Sequence, residues 1–138
     1  MKMIKEMKMI VIVMILISMI LVIGNPCFAY NLLNGELDPW TNEQIDMQIS
    51  LTILAILDYG TTNYGLQYPD RFYETESGIY GHPTSQQVLE YGLKLYFGHL
   101  LISYLLPSKT RDFWLTIANL YQIKCVGNNL YIGCKLKF

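Results

Sequence analysis

Residues 41–60, TNEQIDMQISLTILAILDYG, decide the fold class. Thr41 followed three residues later by Gln44 is a capping-box pattern, in which hydroxyl and amide each satisfy a backbone N–H that a first helical turn leaves unpaired. Asp38-Pro39 stands just ahead of it, as expected before a helix start. Ile45, Ile49, Ile53, Ile56 and Leu57 then recur at helical spacing, with Asp46, Gln48, Ser50 and Thr52 interleaved. The pattern predicts an amphipathic helix that buries its isoleucine face and ends between Gly60 and Gly65.

Working outward, two more helices are expected. Thr84 and Gln87 repeat the capping box, and the body Val88 to Leu106 is largely apolar or aromatic, interrupted by Glu90, Lys94 and His99. Pro107 stops it, since proline lacks the N–H and disfavours helix in the residue before it. A third helix is predicted from Ser108 or Thr110 through Cys125, with Phe113, Trp114, Ile117, Leu120, Tyr121 and Ile123 as its apolar positions. Gly127-Asn128-Asn129 breaks that pattern. The tail Leu130 to Phe138 alternates as a short strand does, with Lys135 and Lys137 on the polar side. Between the first two helices runs a long Tyr-rich connection, Thr61 to Pro83. The expected fold is all-α: three helices, two of them a hairpin, with a β-like tail.

The N-terminus reads differently. Lys2, Lys5 and Lys8 outnumber Glu6, and Met9 to Ile23 is uncharged and apolar apart from Ser18. Gly24-Asn25-Pro26 then breaks the run, and Cys27-Phe28-Ala29 offers small residues at the two positions signal peptidase reads. This order is that of a secretory signal peptide, with cleavage expected after Ala29. The chain thus divides into a signal, 1–29, and one small domain, 30–138. Retention of the segment as an anchor is the competing reading, although the run falls short of the ~20 residues of a comfortable span. Cys27 is not a lipidation site, because Asn25-Pro26 replace the small residues such a site needs.

Charged residues make up 15% of the 138, against ~25% in ordinary soluble domains, and the net charge is −1. Nothing forms a basic stripe, which argues against nucleic acid as a partner. The connection carries Asp70, Glu74 and Glu76 against Arg71, whereas the Ser108–Arg111 turn is basic. A hairpin of the second and third helices dipping into a membrane puts Lys109 and Arg111 on the cytoplasmic side, as the positive-inside rule asks. Lys94 and Gln122 favour the alternative, a soluble helical bundle. The tail alone cannot make a barrel, which needs at least about eight strands.

Candidate chemistry is sparse. Asp58 falls in the last turn of the expected first helix, where the helix dipole disfavours a carboxylate. It therefore wants a partner among Arg71, Arg111, Lys94 and the Thr61 and Thr62 hydroxyls. Asp58, Glu74 and His82 are the weak candidates for an acid–base group. His82 and His99 are too few and too separated for a metal site, and no cofactor is implied. Tyr64, Tyr68, Tyr73 and Tyr80 pack the connection, anchor it at a membrane interface or stack on cell-wall glycans. Cys125 and Cys134 form a candidate disulfide in an exported chain, with two buried thiols as the alternative.

Several short motifs carry a resemblance. They are Asp58-Tyr59-Gly60-Thr61-Thr62, Arg71-Phe72-Tyr73-Glu74, and Gly81-His82-Pro83-Thr84-Ser85 with Val88. Leu106-Pro107 with Arg111, and Val126 with Asn128 and Gly133, extend them. The chain in these stretches resembles a family of small exported or membrane-associated proteins of bacteria and their phages. That family pattern has Asn-Pro shortly after the glutamate, where this chain has Glu76-Ser77. The resemblance implies architecture and location but no activity.

The expectation is an exported, membrane-associated helical protein with a structural or interaction role in the envelope, its partner the membrane, an envelope protein or cell-wall glycan. The second reading is a soluble exported protein binding an envelope ligand through the Tyr-rich connection. The third is an enzyme using Asp58, Glu74 and His82.

Overall fold

The computed structural model describes residues 28–30, 35, 37–75 and 78–137. The expected export segment therefore lies outside the described residues up to Cys27. Two short strands open the described chain, β1 (Phe28–Tyr30) and β2 (Leu37–Pro39). They pair antiparallel, with Ala29 opposite Asp38, so the cleavage position expected after Ala29 falls within β1. Three helices follow: α1 (Asn42–Gly65), α2 (Ser85–Leu105) and α3 (Ser108–Tyr131). The chain is mostly helical, as expected.

Both capping boxes form. Thr41 Oγ1 accepts from the Gln44 N–H, and Gln44 Oε1 accepts from the Thr41 N–H, each at 3.2 Å. Thr84 and Gln87 do the same for α2, at 3.2 and 2.8 Å. Leu106 is extended, as the residue before Pro107 must be, and α3 starts at once. The first N–H of α3, from Ser108, donates to Asp38 Oδ2 at 2.5 Å. A carboxylate from β2 thus satisfies an orphan donor at the positive end of the helix dipole.

The third helix runs past its expected end at Cys125. Asn129 stays helical because its amide is held by α1, and such tertiary contacts override a weak propensity. α3 then closes in a Schellman motif: Cys134 N–H bonds to Asn129 C=O, Gly133 N–H to Leu130 C=O, and Gly133 takes φ +92°. The tail is consequently not the expected strand. Residues 134–137 run irregularly back along α1, where Lys137 N–H donates to Gly60 C=O at 3.1 Å.

α1 is the centre of the fold. It packs chiefly on α3 and secondarily on α2, while α2 and α3 scarcely meet. The expected burial of the isoleucine face of α1 holds only in part, with Ile45, Ile56 and Leu57 half-buried. Gln44, Gln48, Leu51, Thr52, Thr61 and Asn63 are buried, whereas Ile49 and Ile53 are exposed, Ile53 by 53%. The reason lies opposite: α3 offers α1 the polar groups of Arg111, Asp112, Asn119, Gln122 and Asn129. α1 answers with its own polar stripe. Among the described residues no helix is long and apolar enough to cross a membrane. The expected membrane hairpin of α2 and α3 is therefore not a pair of spans. α3 carries Lys109, Arg111, Asp112 and Lys124, and α2 carries Glu90 and Lys94.

Candidate functional site

Two polar nodes tie α1 to α3. At the first, Arg111 is 0% exposed, not part of a solvated basic turn. Its Nε donates to Ser103 C=O at 2.9 Å, Nη1 to Gln44 Oε1 at 2.9 Å and Nη2 to Leu106 C=O at 2.8 Å. The planar guanidinium lies 5.0 Å from the centre of the Trp40 ring and 4.0 Å from the Asp38 carboxylate. Burial pushes the Arg111 pKa down, and the Asp38 charge acts against that shift. Gln44 Nε2 in turn donates to Asp112 Oδ1 at 2.6 Å and to Ser108 Oγ at 2.9 Å. One glutamine thus caps α1 and fastens it to α3.

The second node holds Asp58. Gln122 Nε2 donates to Asp58 Oδ2 at 2.9 Å, and Asn129 Nδ2 to Asp58 Oδ1 at 3.0 Å. Asn129 also reaches Thr61 Oγ1 at 3.0 Å and Thr62 Oγ1 at 3.3 Å. Amides on α3 therefore meet the carboxylate, and the threonines expected as partners share the same donor. Because α1 runs on to Gly65, Asp58 lies clear of the last turn, where the helix dipole acts most strongly.

Between α2 and α3, with α1 as floor, lies an open cleft of about 580 Å³. That volume falls within the ~300–1,000 Å³ of small-molecule sites. Its lining combines apolar side chains, among them Ile102, Trp114 and Ile117, with the polar Asp58, Glu74, Thr75, Tyr91 and Tyr121. Lys94 lines the cleft and is exposed. His99 stacks on Trp114 with ring centres 5.2 Å apart, and burial lowers its pKa to about 4, so it is neutral at pH 7. Tyr59 also lines the cleft; its hydroxyl is buried without a hydrogen-bond partner among the described residues, and burial pushes its pKa up.

The residues singled out from sequence separate here. Asp58 and Glu74 both reach the cleft, but His82 does not line it. His82 sets its ring edge-on to Tyr73 at 5.1 Å. The three are not gathered into one acid–base group. Tyr64, Tyr68, Tyr73 and Tyr80 also lie outside the cleft lining. Tyr64 and Tyr68 cluster with Phe72, and Tyr73 with Tyr80 at 5.0 Å. Tyr68, Tyr73 and Tyr80 are exposed, on a connection closed by reciprocal 2.9 Å backbone bonds between Glu74 and Gly81. The Tyr73 hydroxyl has its pKa raised by its hydrogen bond with Tyr80 and then by desolvation.

Cys125 and Cys134 are not bridged. Cys125 lines the cleft from α3, while Cys134 is buried beyond the Schellman turn, close to Gly65. The extra helical turns of α3 carry the two apart from the hairpin a disulfide would need. Among the described residues no three His, Cys, Asp or Glu side chains group as metal ligands.

Sequence reasoning missed Gln44, Trp40 and Asp38 around Arg111, and Gln122 and Asn129 around Asp58. A signal for both sets exists in the spacing. Gln44, Gln48 and Thr52 follow one another at i+4, and Gln122 and Asn129 lie two turns apart, so each set is a polar stripe on one helix face. Comparison with protein-family models, curated proteins and solved structures finds no significant match.

Proposed function

We propose that this chain is an exported, membrane-associated helical protein with an interaction role in the cell envelope. The observation that carries the reading is a polar helix junction combined with an apolar exterior. Glutamine, threonine, asparagine and arginine are buried in α1 and α3 alongside Leu51, Leu115 and Val126. Leu101, Phe113, Leu120 and Ile123 are exposed, Phe113 by 67%. Water-soluble domains bury their large apolar residues and seldom expose them in such number along two helices. Polar contacts between helices with an apolar exterior suit a protein whose surroundings are themselves apolar. Since no described helix meets the requirement for a span, α2 and α3 are read as lying against the membrane interface. The segment before Gly24 supplies the route of export.

Fractionation of the full chain, tagged at its C-terminus and expressed in a bacterium, tests this. The protein is expected in the membrane pellet, and an alkaline carbonate wash is expected to release it, as it does a chain held at the interface without spans. Recovery in the soluble fraction before any wash would put the soluble ligand-binding reading in first place.

A further inference from the structure

The cleft has the setting of a missing helix. α1 packs on both α2 and α3, but these two scarcely meet, so the three helices leave one side of the bundle open. The lining there is mainly apolar, with Leu95 and Ile117 exposed along it and the small Ala55 and Ala118 among its residues. Gly92 and Gly98 also line it, and a Cβ at either position would meet nothing within 4 Å, so α2 presents bare backbone there. Val88 and Ile102 of the lining stand roughly 21 Å apart along α2 at 1.5 Å per residue. A helix laid in such a gap completes a four-helix bundle and takes apolar surface out of water.

The place where the preceding chain joins the fold is also fixed. Phe28 pairs with Pro39, and the next residue, Trp40, sets its ring 5.4 Å from that of Tyr104 near the C-terminal end of α2. β1 itself packs on α2. Residues 1–27 therefore enter beside the end of α2 at which Ile102 lines the cleft.

We infer that Met9–Ile23 is retained after export and occupies this cleft as a fourth helix. As a helix its 15 residues are roughly 22 Å long, which matches the lined length of α2. The run falls short of a comfortable membrane span and has the length of a buried core helix. Gly24 to Cys27, four residues reaching at most roughly 14 Å, link it to β1. With Ile23 tied to the Ile102 end, the segment runs parallel to α2. Lys2, Lys5 and Lys8 then arrive at the other end, beside the connection that carries Asp70, Glu74 and Glu76 against Arg71, so opposite net charges meet. Retention follows from β1: a cut after Ala29 would remove two of the three residues that pair with β2, whose Asp38 holds the first N–H of α3. This goes beyond the envelope reading and leaves Leu101, Phe113 and Leu120, exposed outside the cleft lining, for the membrane.

The test uses the full chain expressed in a bacterium. Its intact mass is expected to include Met1, and a mature chain beginning at Tyr30 overturns the inference. Docking is read by cysteine pairing. Met14→Cys, Ile15→Cys, Leu16→Cys and Ile17→Cys, which cover one full helical turn, are each combined with Leu95→Cys in the cleft wall or with Leu101→Cys outside it. Both α2 positions are exposed and tolerate the change. After mild oxidation of dilute protein, peptide mass analysis separates the new bridges from those to native cysteines. At least one of the four is expected to bridge to position 95 within a single chain, and at least about tenfold more than to position 101, because docking raises the effective concentration at one wall alone. No bridge, equal bridging to both positions, or bridges between chains only overturns the inference, and an unbridged chain that keeps Met1 and resists a carbonate wash is an anchor in the bilayer instead. Fractionation of the same cells is read separately. A bridged chain in the soluble fraction keeps the docked helix and loses the location, whereas a chain cut at Tyr30 in the membrane pellet does the reverse.

Discussion

Arg111 Nη1 donates to Gln44 Oε1 at 2.9 Å across the junction of α1 and α3, and both side chains are 0% exposed. The same Gln44 oxygen accepts the Thr41 N–H that starts α1, so helix initiation and helix packing share one atom. Two backbone carbonyls, those of Ser103 and Leu106, also depend on the guanidinium. Arg111→Ala would leave these acceptors buried without it and open a cavity beside Trp40. A loss of about 3–5 kcal/mol is expected, the range for breaking a buried charged network from one side. Arg111→Lys is expected to recover only part, because an ammonium group cannot serve three separated acceptors with a planar fork. Urea melts of the three proteins in one mild detergent give the comparison. Equal stability of wild type and Arg111→Ala would mean that the junction is held by something else.

Gln48 makes the opposite case. It is 4% exposed, yet neither its Nε2 nor its Oε1 has a hydrogen-bond partner among the described residues. A buried amide without partners costs about 1–3 kcal/mol in desolvation, so an apolar residue of similar size should be tolerated or better. Gln48→Met is expected to raise stability by about 1 kcal/mol, read as a higher urea midpoint at unchanged slope. A loss of similar size would show that the amide is satisfied by residues outside those described.

How much of this was legible beforehand depends on the range of the interaction. The starts of α1 and α2 are local chemistry, written in Thr41 with Gln44 and in Thr84 with Gln87, and both capping boxes form. The stop at Pro107 is equally local. The end of α3 is not, because Asn129 is held in the helix by Asp58 and Thr61 of another element. The facing of α1 misleads for a related reason. Its isoleucine stripe predicts burial against an apolar partner, but the partner helix presents Arg111, Gln122 and Asn129. The polar stripe therefore wins the interface, and Ile49 and Ile53 are left outside. Of the candidate site, Asp58 and Glu74 could be picked from sequence. The aromatic wall of Tyr91, Tyr121 and Trp114 could not, since it exists only once α2 and α3 splay apart over α1.

His99 should give the protein a distinctive response to mild acid. Burial lowers its folded pKa from the ordinary 6.5 to about 4. Above pH 6.5 the ring is neutral in both folded and unfolded chains, so it contributes no pH dependence there. Between pH 6.5 and 4 the unfolded chain takes up a proton that the folded chain refuses, and stability falls as pH falls. The ring is only partly shielded from solvent, which discounts the full shift to on the order of 2 kcal/mol. His99→Phe keeps an aromatic partner for Trp114 and removes the proton. Comparing stability at pH 7 and 4.5 for the two proteins is expected to show a steeper loss in the wild type. Parallel slopes would place the acid sensitivity elsewhere.

The cysteines offer a test that needs no variant. Cys125 and Cys134 are not bridged, and burial raises the Cys134 thiol pKa, with the nearby Glu74 charge adding to the shift. A thiolate is the reactive species, so a raised pKa and burial both slow alkylation. Cys125 lies on the cleft wall and is only half-buried, which leaves it reachable. In the folded chain without reductant, iodoacetamide is therefore expected to modify Cys125 well before Cys134. After unfolding in urea, still without reductant, both residues should be alkylated, as peptide mass analysis would record. If unfolding released neither thiol until a reductant was added, a disulfide would be present, and the path of α3 beyond Cys125 would need to be redrawn.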